Sequence, residues 1–373
     1  MRAILILLFV WPLWGQGQPV VVGGSACVPA TAVTGPALDP ARFFSGVVIW
    51  SDSGRIRDSS QSGCLDFTKG DSMQTDAVFE LASVSKQFTA MIIMMLEEKG
   101  LLHYDDPVSR YLRIPYAGIT IRHLLTHTSG LPDYQAIMDE HWDKSKVAGN
   151  PEILRYLRKF APPVLFSPGE KYEYSNTGYV LLASIAEKVA RKDFILLCRD
   201  WIFGPLGMTD TDIRSAAEKQ RLTRMTRGHL YVASRKAFVP ADSFPSSNYT
   251  IWLGNRKGPG RISSTATDLL KWDEALYTDR LVNARSLTKA FSPMRLNDGT
   301  FSNYGFGWDL EQDSIAGRIV SHNGDNPGYK TIIIRFIDHH QTLVLLSNNA
   351  ARSFDDRVRE MREQVIRSLP ALQ

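Results

Sequence analysis

Phe79-Glu80-Leu81-Ala82-Ser83-Val84-Ser85-Lys86-Gln87-Phe88-Thr89-Ala90 opens the stretch that decides how this chain folds, and it runs on to Gly100. From Ser83 onward Phe88, Met91, Ile92, Met95 and Leu96 recur at steps of three and four, the spacing of an amphipathic helix. Gly100 supplies a C-terminal stop, and Leu101-Leu102 leads out to Asp105-Asp106-Pro107. This reading puts Ser83 at the helix N-terminus and Lys86 one turn on, on the same face. Unpaired N–H groups and the positive end of the helix dipole would stabilise an oxyanion forming at Ser83. An ammonium buried beside the apolar face in that field is driven toward its neutral, basic form. A serine with such a base three residues away is the minimum apparatus for an acyl-enzyme. Ser-x-x-Lys also recurs by chance, and Ser83 alone reads equally as an ordinary helix cap. The rest of the chain must decide.

The 373 residues are 44% apolar and 22% charged, enough core-forming material for one large domain with an insertion or for two intimate subdomains. The net charge is +4 and no Lys/Arg run stands out, so nothing points to a nucleic-acid partner. Met1-Arg2, the apolar run Ala3 to Trp14, and then Gly15 and Gly17 read as a signal peptide over residues 1–17. The expected mature protein is exported to the periplasm or the extracellular medium, with no stable membrane span after cleavage. Cys27 has no apolar residue three positions before it, which weakens a lipid anchor there. Cys27 and Cys64 are able to pair in an oxidising compartment, although spacing alone leaves the pairing open. Cys198, within Phe194-Ile195-Leu196-Leu197-Cys198, reads as a buried small apolar residue. No Cys/His grouping has zinc spacing, and His339-His340 reads as a solvated hairpin loop; no metal is expected.

Residues 18–40, rich in Pro, Gly, Ala and Thr, read as a flexible lead-in to a domain over 41–369. A strand is expected over Phe43 to Trp50, turned by Ser51-Asp52-Ser53-Gly54, with a second near Gly63 to Phe67. Helical patterns then dominate: Ile121 to Leu125, Pro151 to Phe160, Gly178 to Ala190, Lys192 to Phe203, and a helix capped by Thr265 or Thr267. Strands return at Tyr304 to Leu310, Ile319 to Ser321, Tyr329 to Ile337 and Thr342 to Ser347, the last two as a hairpin around His339-His340. Arg352 to Leu369 closes the chain as an amphipathic helix with Phe354, Val358, Met361, Val365 and Leu369 on one face. The fold class is therefore α+β, in three layers α/β/α. One antiparallel sheet is built from both chain ends (about 41–100 and 258–369) and flanked by helices. An inserted all-helical subdomain (about 101–257) leans over its edge, with the active site between the two.

Two more stretches carry chemistry. Ser167-Pro168-Gly169-Glu170-Lys171-Tyr172-Glu173-Tyr174-Ser175-Asn176 is a turn-rich loop entering a helix, and in extended backbone Tyr174 and Asn176 point the same way. A phenol there can shuttle a proton, and the amide can hold a neighbour or a substrate. Val320-Ser321-His322-Asn323-Gly324-Asp325-Asn326-Pro327-Gly328-Tyr329 is a strand whose glycines admit a close substrate backbone, with the Asp325 N–H as a second oxyanion donor beside that of Ser83.

Ser-x-x-Lys, Tyr-x-Asn and His-x-Gly follow one another at separations of roughly ninety and roughly one hundred and fifty residues. In this the chain resembles the serine β-lactamase and penicillin-binding-protein superfamily, in its class C-like branch of β-lactamases, D-alanyl-D-alanine carboxypeptidases, D-aminopeptidases and related esterases. Leu124-Leu125-Thr126-His127-Thr128-Ser129-Gly130-Leu131, Phe203-Gly204-Pro205-Leu206-Gly207-Met208-Thr209-Asp210-Thr211 and Arg261-Ile262-Ser263-Ser264-Thr265-Ala266-Thr267-Asp268-Leu269 fit it as well. The resemblance covers Phe43 to the C-terminal helix. It implies Ser83 as nucleophile, Lys86 as the residue that deprotonates it and Tyr174 as general acid/base. Asn176 would orient Lys86 and the substrate, and His127 would brace its own loop. It also implies that His322 and Gly324 stand where the family has the lysine and glycine of Lys-Thr-Gly. No cofactor is implied.

That lysine is the departure that matters. A lysine is a fixed cation suited to a substrate carboxylate, whereas an imidazole is largely neutral near pH 7. Lys330 and Arg335 are the candidates to supply the missing charge. The expectation is an exported serine hydrolase acting through an acyl-enzyme on small ester, amide or peptide substrates, as an esterase or D-amino-acid peptidase/amidase. A β-lactamase or D-alanyl-D-alanine carboxypeptidase is the alternative, and a penicillin-binding sensor without turnover the second.

Overall fold

The computed structural model describes Cys27 and residues 43–370. The expected signal peptide and all of the lead-in except Cys27 lie outside the described residues. Six strands form the main sheet: β1 (Gly46–Asp52), β2 (Arg55–Ser62), β3 (Asp309–Asp313), β4 (Gly317–Asn326), β5 (Tyr329–Phe336) and β6 (Gln341–Ser347). Their order is β3-β4-β5-β6-β1-β2 with every neighbour antiparallel, so the two ends of the chain meet where β1 pairs with β6. The period-2 alternation of the central strands explains the layers. Val47, Ile49, Ile333, Val344 and Leu346 face one core, while Val48, Trp50, Ile334, Leu343 and Leu345 face the other.

The helices that position the site are α1 (Lys86–Glu98), α2 (Ile121–Leu125), α3 (Tyr134–His141), α4 (Asn150–Phe160), α5 (Asn176–Ala190), α6 (Ala266–Ala275) and α7 (Ser353–Ser368). Phe354, Met361 and Val365 of α7 cover one sheet face. Phe88, Met91, Ile92 and Leu96 of α1 join the core on the other, with Leu269 and Trp272 of α6. Thr265 caps α6, its side chain accepting from the Asp268 N–H. Leu181 and Leu182 of α5 belong to the α1 core, while Val180 belongs to a smaller one with Ile137, Ile153 and Trp252. The helical insertion is thus stitched to the sheet domain through α5.

Three expectations change. The second strand is β2, directly after the Ser53-Gly54 turn; Cys64–Asp66 instead makes a short pair with Asp71–Ser72. β2 is an edge strand of exposed and half-buried polar residues, so it carries no apolar alternation to read. The strand expected over Tyr304 to Leu310 begins at Asp309, because Gly307 adopts φ +80° and turns the chain between Tyr304 and Trp308. The insertion is not all-helical: His229–Val232 and Ala237–Pro240 form a hairpin, and Asp212–Ile213 pairs with Ile262–Ser264. Cys27 and Cys64 are disulfide-bonded, and Cys198 is buried and free.

Candidate active site

Ser83 lies in a 3₁₀ turn, Ala82–Ser85, that runs straight into α1, so α1 proper begins three residues later than its apolar stripe predicts. Ala82 takes φ +49°, a left-handed conformation that a non-glycine residue adopts only under constraint. The constraint is visible. Leu81 is held on both sides, its N–H donating to Ile262 O at 2.9 Å and its carbonyl accepting from Thr331 Oγ1 at 2.8 Å. β4 presses against the same point: a Cβ on Gly324 would stand 2.3 Å from Leu81 O, so only glycine fits there. The first-turn N–H of Ser83 has no preceding helical carbonyl to bond.

Lys86 is fully buried, and its Nζ lies 3.0 Å from Ser83 Oγ, 2.9 Å from Asn176 Oδ1 and 3.0 Å from Pro259 O. Burial, then the Arg256 guanidinium, hold its pKa well below the ordinary lysine value, with Asp133 pulling the other way. A neutral amine has two hydrogens and one lone pair. The amide and carbonyl oxygens accept the hydrogens, which leaves the lone pair for the Ser83 hydroxyl. Asn176 is itself fixed, its Nδ2 donating to Asp133 Oδ2 at 3.2 Å. Asp133 also caps α3 by accepting from Gln135 N.

Extended backbone at Ser175 puts Tyr174 and Asn176 on one side, as their spacing predicts. The Tyr174 ring centroid sits 4.6 Å from Lys86 Nζ, which puts the ring beside the Ser83–Lys86 pair. Tyr174 as a whole remains 39% exposed at the mouth of the site, and burial raises the pKa of its hydroxyl, keeping the phenol protonated. Under the ring lies His127, centroids 4.2 Å apart, whose Nδ1 accepts from the Ser175 N–H at 3.1 Å. His127 therefore braces the tyrosine loop, which lies across from it, as well as its own.

His322 is buried in β4. Its Nδ1 lies 2.6 Å from Asn323 O, an acceptor, so Nδ1 carries the proton and Nε2 accepts from the Tyr304 hydroxyl at 2.8 Å. Burial and the charge of Lys86 push its pKa down to about 3, so the imidazole is neutral. Neither candidate supplies the charge that a lysine there would bring. Lys330 donates to Asp355 Oδ2 at 2.7 Å, and Arg335 is buried against Asp273. Both are already paired with carboxylates.

The β4–β5 turn at Pro327-Gly328 makes Asn326 and Tyr329 the closing pair, so Asp325 is the next, non-hydrogen-bonded pair with Lys330. Its N–H points off the ladder toward the open edge beside Ser83, as an oxyanion donor must. A cavity of about 60 Å³ opens there, lined by Ser83, Gln135, Asn176, Tyr249, Arg256 and Asp325. Of the site residues expected from the sequence, Ser83, Asn176 and Asp325 line this cavity, while Lys86, Tyr174, His322 and Gly324 surround Ser83 from behind and beside it.

A profile of the Beta-lactamase family matches residues 35–367. The chain belongs to that family. Among its relatives, "Penicillin-binding protein 4*" of Bacillus subtilis is 42% identical over 307 residues, 82% of this chain and 68% of that protein. A D-aminopeptidase of Cereibacter sphaeroides is 25% identical over 308 residues, 80% of this chain and 55% of that protein, so the chain spans about half of it. The D-amino acid amidase from Ochrobactrum anthropi SV3, solved with L-phenylalanine amide, superposes with a TM-score of 0.70 at 27% identity, covering 88% of this chain and 95% of that one. The chain is a serine hydrolase of this family. No helix among the described residues is long and apolar enough to cross a membrane.

Sequence reading missed Asp133, Arg256, Tyr304 and Asp309. Asp133 leaves a faint signal, as a cap directly before a helical pattern. Asp309 adjoins the tyrosine cluster, and burial raises its pKa to about 6. Arg256, in Gly254-Asn255-Arg256-Lys257-Gly258, carries no local signal for burial and is buried.

Proposed function

We propose that Ser83 is the nucleophile of an exported hydrolase that cleaves small esters and amides, including those of D-amino acids, through an acyl-enzyme. The observation that carries this reading is the fully buried Lys86, its Nζ 3.0 Å from Ser83 Oγ and its pKa held well below the ordinary lysine value by burial first and Arg256 second. Lys86 takes the Ser83 proton as Oγ attacks the carbonyl, and the oxyanion lies between the N–H groups of Ser83 and Asp325. The neutral phenol of Tyr174 protonates the departing amine or alkoxide and recovers its proton from the Lys86 ammonium. Water then attacks the acyl-enzyme, Tyr174 and Lys86 return its proton to Ser83 Oγ, and the acid leaves.

The D-amino-acid preference is supported by the relatives that act, by their names, as D-aminopeptidase and D-amino acid amidase. It is supported as well by the neutral His322, which offers no cation to the terminal carboxylate of a peptide. Export is supported by the Met1 to Gly17 pattern and by the Cys27–Cys64 disulfide, which suits an oxidising compartment. The similarity to a penicillin-binding protein favours a second reading, in which β-lactams acylate Ser83.

Intact mass after exposure to a fluorophosphonate and to a fluorescent penicillin, with Ser83→Ala as control, tests both. Fluorophosphonate labelling of Ser83 alone is expected. A lasting penicillin adduct moves the assignment to the second reading, and no label from either sinks the nucleophile.

A further inference from the structure

We propose that Arg256 forms an anion subsite that receives a carboxylate on the acyl half of the substrate. The proposal rests on the acyl-enzyme reading above and names the substrate class that reading leaves open. Arg256 is only 7% exposed, yet it forms no ion pair among the described residues. Its Nη1 donates to the Tyr134 hydroxyl at 2.6 Å, and its Nε is buried without an acceptor. Its Nη2 makes no hydrogen bond and is not shut away like Nε; the side chain lines the cavity beside Ser83. A buried guanidinium with one edge unsatisfied and the other turned to a cavity is a site for a planar anion.

The carboxylates nearby do not fill that role. Asp133 has committed its oxygens to Gln135 N and to Asn176. Glu80 is paired with Lys219, and Asp325 makes no ion pair with Arg256 among the described residues. The loop holding Arg256 is pinned and so pre-organised. Asn150 accepts from Lys257 N and donates to Lys257 O, and Thr89 Oγ1 donates to Gly258 O at 2.8 Å. Gly258, at φ +107°, lets this loop lie against Tyr179 O, where a Cβ would stand 2.1 Å away.

The side of the scissile bond follows from which residues face the cavity. Tyr174, which delivers a proton to the leaving group, is not among its lining residues; Asn176, Gln135 and the Asp325 edge are. The cavity therefore takes the acyl half. At about 60 Å³ it holds a short chain, such as a D-glutamyl side chain, rather than a large ring system.

The test compares kcat/KM for the p-nitroanilides of D-glutamate and D-glutamine, which differ in charge but hardly in shape. Arg256 also acts on the Lys86 pKa, but that effect falls on both substrates alike and cancels in their ratio. The wild type is expected to prefer D-glutamate by about ten- to a hundredfold, the range for a hydrogen bond to a charged group. Arg256→Met should bring the ratio to about one, and Arg256→Lys should keep part of the preference. A wild-type ratio near one, or a preference that survives Arg256→Met, overturns the proposal. Calorimetry of glutarate on the Ser83→Ala protein separates this from a failure of the catalytic reading, because binding needs no turnover. Glutarate should bind and lose at least tenfold in affinity when Arg256→Met is added. Absence of binding to the Ser83→Ala protein overturns the anion site even if Ser83 proves to be the nucleophile.

Discussion

On one side of Ser83 stand Tyr174, Tyr304, His322 and Asp309; on the other lie Arg256, Gln135, Tyr249 and the Asp325 edge of β4. The first side is aromatic, holds a neutral histidine, and carries a half-buried carboxyl whose pKa is raised to about 6. The second carries a buried guanidinium without a counter-ion in bonding reach. The cation that a lysine at position 322 would bring is thus absent from the first side, and a guanidinium without an ion pair among the described residues lies on the second. On the proposed reading the Arg256 guanidinium would face the acyl half, and the Asp309 carboxyl would lie on the leaving-group side. The difference teaches that one scaffold can keep its nucleophile and base while exchanging the charge that selects substrates.

The largest expected effects fall on the shared centre. Ser83→Ala or Lys86→Met should each lower kcat/KM for a D-amino-acid amide by about 10⁴-fold or more, since residues acting as one unit fail together. Stopped assays of both variants, checked by circular dichroism for folding, measure it. Retention of even a tenth of the activity in either variant would remove the basis for comparing the two sides at all.

Next comes the leaving-group side. Tyr174→Phe should cost about 10²- to 10³-fold on an anilide but far less on a p-nitrophenyl ester, whose leaving group needs no proton. Equal losses on both substrates would show that Tyr174 acts in deacylation or through Lys86 rather than on the leaving group. Asp309→Asn should raise turnover of a D-alanyl-D-alanine peptide by about tenfold at pH 7.5, because it removes a negative charge beside the Tyr174–Tyr304 cluster, where a departing carboxylate would be repelled. The pH dependence has a definite sign. Burial raises the Asp309 pKa to about 6, so the carboxyl is ionised at pH 7.5 and largely neutral at pH 5. The gap between wild type and Asp309→Asn should therefore close as the pH falls through 6. A gap that stays constant across that range would mean Asp309 acts through packing alone.

How much of this was legible beforehand depends on the range of the interaction. Ser83 with Lys86, and Tyr174 with Asn176, are fixed by helical and extended spacing, and those patterns stand in the sequence itself. β1, β5 and β6 announce themselves by apolar content, being buried on both faces. β2 does not, because an edge strand needs no apolar face. The left-handed Ala82 was equally hidden, since it results from Gly324 and Thr331 approaching Leu81 from far along the chain. Arg256 was the hardest to see. Nothing local marks an arginine for burial; Asn150, Thr89 and Tyr134 do so from more than a hundred residues away. The candidate catalytic residues were therefore readable from neighbours in sequence, whereas the buried guanidinium proposed to select substrate was not.

The smallest expected effect joins the two sides through Lys86. Burial lowers its pKa first and Arg256 second, while Asp133 raises it. The active form carries neutral Lys86, so the acid limb of kcat/KM rises with pH through the lysine pKa of the free enzyme. Removing a positive neighbour makes the ammonium easier to form. Arg256→Met should thus move that limb to higher pH, by less than about one unit. Removing a negative neighbour does the reverse, and Asp133→Asn should move it to lower pH while its amide can still accept from Asn176. Profiles on a neutral acetyl ester, which makes no demand on the anion subsite, isolate this effect from substrate recognition. Limbs that move in opposite directions tie the selective side electrostatically to the catalytic base. Limbs that stay still mean that burial alone sets Lys86, and the two sides of Ser83 then act independently.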